Sequence, residues 1–217
     1  MKKSYSLIMA IILALCLISA PVMAKKAGEI KDKVYTDKDY KFSMQIPEGW
    51  STKIGKDNRP DRMALDEKSY PYPQHFQGGG KEDYAQIPMM IVLVDTCSIP
   101  VDKFLENLLD SKYKSGQKKY FMKKLRLISK THEILKQKDI TFHKAKAIQI
   151  EARQAYSIEV AERGSDRADV VSDFKGGAMF LTVRDGKIFV FHMIYEYTYN
   201  MQYQDTFNRL ISSLKFE

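Results

Sequence analysis

Cys97 stands two residues after Asp95, and four histidines, His75, His132, His143 and His192, are spread along the chain. A cysteine nucleophile needs an imidazole base within hydrogen-bond reach, and such a pair would support acyl transfer. No spacing here marks that pair. The apolar run before Cys97 reads instead as a strand ending in an inert, buried thiol. His132 and His143, with Glu133 or Asp139, could meet across a hairpin and offer ligands to a metal. Two imidazoles fall short of a coordination shell, and the pattern reads as strand histidines at a surface. His192 lies in an apolar run and reads as a core histidine. The carboxylates form no isolated acidic pair of the kind acid–base chemistry prefers. Gly80-Lys81 fails as a phosphate loop, because His75 stands where the first glycine belongs and Glu82 where Ser or Thr is required. There is no Gly-x-Ser-x-Gly elbow and no His-Glu-x-x-His pair. The expectation is no catalytic residue, no metal and no cofactor, with a hydrolase assembled only on folding as the weakest reading.

Binding chemistry is better represented. Tyr70-Pro71-Tyr72-Pro73 favours an extended, polyproline-like segment that presents two phenols with little entropy left to lose, and His75 and Phe76 follow it. Rigid aromatics dominate binding energies, so Tyr70, Tyr72, His75 and Phe76 form the first candidate contact surface. The second is electrostatic. Between Lys112 and Lys146 lie 12 Lys or Arg residues against two acids, Glu133 and Asp139, a local charge of +10. A solvated surface explains such a run; so does attraction to an acidic protein, an envelope component or anionic lipid. Lys118, Lys119, Lys123, Lys124 and Arg126 are the candidates that would steer the encounter.

The first 24 residues bear on compartment. Lys2 and Lys3 precede an apolar run from Leu7 to Ile18, then Pro21 and Val22-Met23-Ala24, the order of a secretory signal. About 20 apolar residues are needed to span a bilayer as a helix, and this run is shorter. The expected mature protein is extracytoplasmic, periplasmic or secreted, and not transmembrane after cleavage, with nucleic acid excluded as a partner by compartment. Leu15 before Cys16 is bulkier than the residue that precedes a lipidated cysteine, which argues against a lipoprotein. Cleavage leaves 193 of the 217 residues, one domain's length, with 33 basic against 27 acidic residues, a net +6. It also leaves Cys97 without an intrachain disulfide partner.

The elements that would position these groups follow from periodicity. Residues 25 to 33 read as a flexible N-terminus, and a single domain is expected over 34–217. Phe42, Met44 and Ile46 alternate with polar residues as in a half-buried strand, and Trp50 opens another as a core anchor. Residues 55 to 86 read as a long irregular loop, broken at most by a brief strand at Met63-Ala64-Leu65. Ile87 to Val94 is apolar throughout, so a central strand covered on both faces is expected. Val101, Phe104, Leu105, Leu108 and Leu109 recur at helical spacing; over Lys118 to Lys130, Phe121, Leu125 and Ile128 fit a helix while Leu125 and Leu127 also fit a strand, and a helix is favoured at the start. Strands are expected over His132 to Lys138 and Lys144 to Ala152, joined around Asp139, with alternation continuing to Val160. Arg163 to Gly176 reads as a polar loop. Asp185-Gly186 suits a tight hairpin between Ala178–Val183 and Ile188–Tyr195. A closing amphipathic helix carries Tyr203, Phe207, Leu210, Ile211 and Leu214. These elements point to an α+β fold whose central strand is covered on both faces.

Three stretches carry a family resemblance. Tyr35-Thr36-Asp37 through Tyr40-Lys41-Phe42-Ser43, Ile46-Pro47-Glu48-Gly49-Trp50, and Phe207-Asn208-Arg209-Leu210-Ile211-Ser212-Ser213-Leu214-Lys215-Phe216 resemble the PsbP-like family, which includes DcrB-like periplasmic proteins. Lys41 stands where many relatives have glycine, and the two loops have no family precedent. The resemblance implies an antiparallel sheet sandwiched between helices and carries over scaffold residues, Trp50 among them, with no catalytic residue. The functional expectation is a non-catalytic exported domain that binds a protein or envelope partner, with peripheral association at an anionic membrane surface through 112–146 as the alternative.

Overall fold

The structure, a computed structural model, describes residues 25–67, 88–125, 132–161 and 168–217; at 132, 156–161 and 168–173 only the backbone is described. Residues 1–24, read as a secretory signal, the candidates Tyr70, Tyr72, His75 and Phe76, and Arg126 lie outside the described residues.

Strands β1 (Glu29–Lys31), β2 (Val34–Asp37), β3 (Phe42–Gln45), β4 (Trp50–Ile54), β5 (Asp61–Glu67) and β6 (Met89–Thr96) come first. Helices α1 (Val101–Leu109) and α2 (Gly116–Leu125) follow, then β7 (His132–Phe142), β8 (Ala145–Ala161), β9 (Ala168–Arg184) and β10 (Lys187–Glu196). Helix α3 (Asn200–Ser213) and β11 (Lys215–Phe216) close the chain. These strands make a four-stranded sheet, β1-β2-β3-β11, and a seven-stranded sheet, β4-β5-β6-β10-β9-β8-β7. Every pairing between the named strands is antiparallel.

Alternate residues of β6 enter different cores, as a two-residue side-chain period requires. Met90, Val92 and Val94 pack with Tyr35, Phe42 and Met44 of the small sheet and with Phe207, Leu210 and Ile211 of α3. Met89, Ile91 and Leu93 pack with Phe104, Leu105 and Leu108 of α1 and with Phe121 and Leu125 of α2. The first core is thus roofed partly by a second sheet, because the small sheet's own alternating apolar residues need a partner surface. A sandwich closed by helices alone leaves that sheet out. Tyr195 stacks on Tyr203 at 5.4 Å between ring centroids, and a Cβ on Gly176 would lie 2.2 Å from the Tyr195 ring, so only glycine fits beside it.

Several sequence expectations are corrected. Order begins before Val34: β1 pairs with β2, and Ala27 is buried and donates its N–H to the Gly55 carbonyl at 2.9 Å. Within 55–86, residues 61–67 form a full strand, since Met63 and Leu65 alternate with Ala64 and Asp66. The β7–β8 turn falls at His143-Lys144, where φ is +47° and +67°, not around Asp139, which sits in mid-strand opposite Ile148. His132 pairs with Gln154 at the other end of β7 from His143, roughly 35 Å away at a strand rise of about 3.3 Å per residue, so the two histidines do not meet. Residues 168–176, read as loop, belong to β9, whose pairing with β8 runs out to Ala161 opposite Ala168. The Asp185-Gly186 hairpin forms as expected, with φ of +48° and +68°.

Candidate binding site

Helix α2 holds the described members of the basic candidate set. Ser115 caps it, its Oγ accepting the Lys118 N–H at 3.0 Å. Lys123 and Lys124 in the last turn suit the negative end of the helix dipole. Phe121 and Leu125, four residues apart, are buried, and Phe121 meets Phe104 of α1 edge to face at 5.5 Å. Gln117 Nε2 donates to Asp95 Oδ2 at 2.9 Å and to the Thr96 carbonyl at 2.8 Å, fixing the helix to the end of β6.

With that face fixed, the lysines divide. The Lys118 ammonium donates to the Asp110 carbonyl. Lys124 Nζ lies 3.4 Å from Asp61 Oδ2 and 5.6 Å from the Tyr120 ring centroid, and the Tyr120 hydroxyl donates to Asp61 Oδ1. These two lysines serve the α2 anchorage. Lys119 and Lys123, also four apart, stand exposed. The basic set is therefore brought onto one helix, but only half of its described members are presented outward.

Between α2 and strands β4, β5 and β6 lies a cleft of about 420 Å³. Its floor includes Ala64, Met89 and Ile91, and its rim includes Lys53, Lys123 and Lys124. Cross-strand pairing places these groups on one face: Lys53 is opposite Ala64, Ala64 opposite Ile91, and Asp66 opposite Met89. Asp61 and Asp66 also line the cleft. Burial pushes the Asp66 carboxyl up from its ordinary value, with Lys53 opposing. Burial acts the same way on Asp61, but the Tyr120 hydroxyl and Lys124 outweigh it and hold that carboxyl below its ordinary value. Burial and the hydrogen bond to Asp61 raise the Tyr120 phenol. Three lysines against two aspartates, with Lys124 paired to Asp61, leave a positive excess at Lys53 and Lys123 over an apolar floor, an arrangement that can take an apolar side chain carried on an acidic segment.

Sequence reasoning missed Lys53, Asp61 and Asp66, all within or beside the stretch read as irregular; the alternation across 61–67 was the available signal. It also missed Arg62, which with Asp37 is wholly buried. Arg62 Nε donates to Asp37 Oδ2 at 2.7 Å, and its Nη2 reaches the Ala27 carbonyl, Asp37 Oδ1 and Asp39 Oδ2. Nη1 donates to the Arg59 carbonyl at 3.2 Å, and the guanidinium lies 4.5 Å from the Tyr40 ring centroid. Every guanidinium nitrogen is engaged, so this group braces the N-terminal segment, β2 and β5 and has no donor to spare for a ligand. Cys97 is buried, its thiol donating to the Ile99 carbonyl at 3.3 Å, and His192 is buried in β10, both as expected. Trp50 is only half-buried at the start of β4. No group of three or more His, Cys, Asp or Glu among the described residues could hold a metal ion, and no described helix is long and apolar enough to cross a membrane.

No family model and no curated protein matches the chain. Among solved structures, it is similar to the cyanobacterial PsbP of Synechocystis at 11% identity, covering 92% of this chain and 96% of that one with a TM-score of 0.45. It is also similar to LpqN, described as involved in cell envelope biogenesis of Mycobacterium tuberculosis, at 13% identity, covering 80% and 82% with a TM-score of 0.46. The first carries the family name that the sequence resembles. At these scores neither likeness assigns a site, a partner or an activity to this chain.

Proposed function

We propose that the protein is an exported, non-catalytic PsbP-like domain, a sheet sandwiched between α1 and α2 on one side and α3 with the small sheet on the other, that binds an acidic protein partner in the cell envelope. The observation that carries the reading is the cleft beside α2, where Lys53, Lys123 and Lys124 rim an apolar floor and Lys119 extends the positive charge along the helix. An excess of positive charge at a rim speeds encounter and selects acidic partners, while the apolar floor slows release. The secretory order of residues 1–24 supports the compartment.

The test replaces Lys53, Lys119 and Lys123 with Glu, leaving the two lysines that anchor α2 untouched. Partners captured from the cell envelope by the unaltered protein should be lost from the triple variant, and the on-rate for any purified partner should lose its salt dependence. Equal on-rates for the two proteins across salt concentrations would refute the electrostatic part. A second reading, docking on anionic lipid through the basic segment 112–146, draws on Tyr113, 41% exposed between Lys112 and Lys114 just before α2, with Lys119 exposed in the helix. Co-sedimentation with phosphatidylglycerol vesicles in the absence of any protein would favour that reading over the first.

A further inference from the structure

A second cleft, of about 480 Å³, opens where β3, the edge strand β4 with its neighbour β5, and α3 converge. It stands apart from the α2 cleft and depends on none of the argument made there. Its volume falls in the range of about 300–1,000 Å³ usual for small-molecule sites. The only tryptophan of the chain, Trp50, lines it. Trp50 is directly opposite Glu67 in the β4–β5 pairing, so the indole and a carboxylate stand side by side on two adjacent strands. The Tyr203 hydroxyl of α3 donates to Glu67 Oε2 at 2.6 Å, fixing one carboxylate oxygen. The opposite wall is joined to α3 by the Gln45 N–H, which donates to Ser213 Oγ at 3.0 Å.

The lining carries charges in balance, Lys33 and Arg209 against Glu48 and Glu67, together with the neutral polar groups of Gln45 and Thr206. A cleft for an anion or a cation would show one sign in excess; this one shows none. An aromatic wall beside an even mixture of donors and acceptors matches a ligand with apolar C–H faces and hydroxyl edges. We propose that this cleft binds a neutral oligosaccharide, one sugar ring lying against the Trp50 indole and its hydroxyls bonded by Glu67, Gln45 and Arg209. The site is built on strands and a helix, so the geometry is set before the ligand arrives.

The lone tryptophan makes the test direct. Indole fluorescence of the protein, purified after expression of the full chain, is titrated with chitotriose and maltotriose, with inorganic phosphate as the charged control. The expected result is a saturable spectral shift with one of the sugars and none with phosphate, accompanied by protection of Trp50 from acrylamide quenching. Arg209→Ala and Glu48→Gln alter exposed side chains, at 73% and 91% exposure, and should leave folding intact. Arg209→Ala should raise the sugar Kd about tenfold, as loss of one charge-assisted hydrogen bond does, while Glu48→Gln, which keeps a hydrogen-bonding group, should change it less. Calorimetry on Trp50→Phe should show weaker sugar binding by a readout independent of the indole. No response to either sugar at millimolar concentration, or a response to phosphate alone, overturns the proposal.

Discussion

Arg62 concentrates more bonds than any other described side chain, and all of them are internal. Removing one partner of a buried ion pair strands the other without solvent, so Arg62→Ala should lower unfolding free energy by about 3–5 kcal/mol in chemical denaturation. Arg62→Lys keeps the charge but not the planar fork of donors, and should recover only part of that loss. Asp61 and Asp66 make opposite contributions with pH. The Asp61 carboxyl, lowered in the folded state, stabilises the fold above its ordinary pKa near 3.8, and that stability is lost as pH falls through the folded value. The Asp66 carboxyl, raised by burial, favours the fold most below that ordinary value, and its contribution is lost as pH rises through the folded pKa. Asp66→Asn should therefore raise Tm at neutral pH, with the gain fading as both proteins are acidified towards pH 3.8. A gain unchanged by pH would contradict this assignment. The alternation across 61–67 marks the strand but not these roles, since Asp61-Arg62 sits in a charged stretch with no motif that singles out a buried ion pair.

At the scale of elements, α2 is held by few residues. Phe121 is fully buried against Phe104, and Phe121→Ala should cost about 3–5 kcal/mol by denaturant titration. The same change should release the cationic face from its cleft and weaken partner capture. The β7–β8 turn offers the opposite test. Lys144 holds φ at +67°, a left-handed geometry that costs a side-chain-bearing residue about 1–2 kcal/mol, so Lys144→Gly should stabilise the protein by about 1 kcal/mol. No change in the denaturation midpoint would argue against a strained turn there. Helical periodicity made α1 and α3 legible, and Asp185-Gly186 made one hairpin legible, because those patterns depend on neighbours a few residues away. The turn at His143-Lys144 was hidden because neither residue is a habitual turn former, and here the ring of His143 packs against Phe142 at 4.6 Å instead.

Over the whole molecule, the sequence made the antiparallel α+β class legible and the division of β6 between two cores followed from its apolar run. The small sheet over one core was harder to see, since strands of three and four residues leave little periodic signal and owe their pairing to distant partners such as β11 with β3. The candidate surface was legible only as a charge run; folding decided that Lys118 and Lys124 serve the scaffold while Lys119 and Lys123 face outward. The central claim is that this outward charge, with Lys53, recruits an acidic envelope partner. Quantitative mass spectrometry of envelope proteins captured by the unaltered protein and by the Lys53→Glu, Lys119→Glu, Lys123→Glu triple variant tests it most directly. The account predicts a defined set of captured proteins that falls at least about tenfold on the variant, the scale of one desolvated charge pair. The same proteins recovered in equal amounts by both would contradict it.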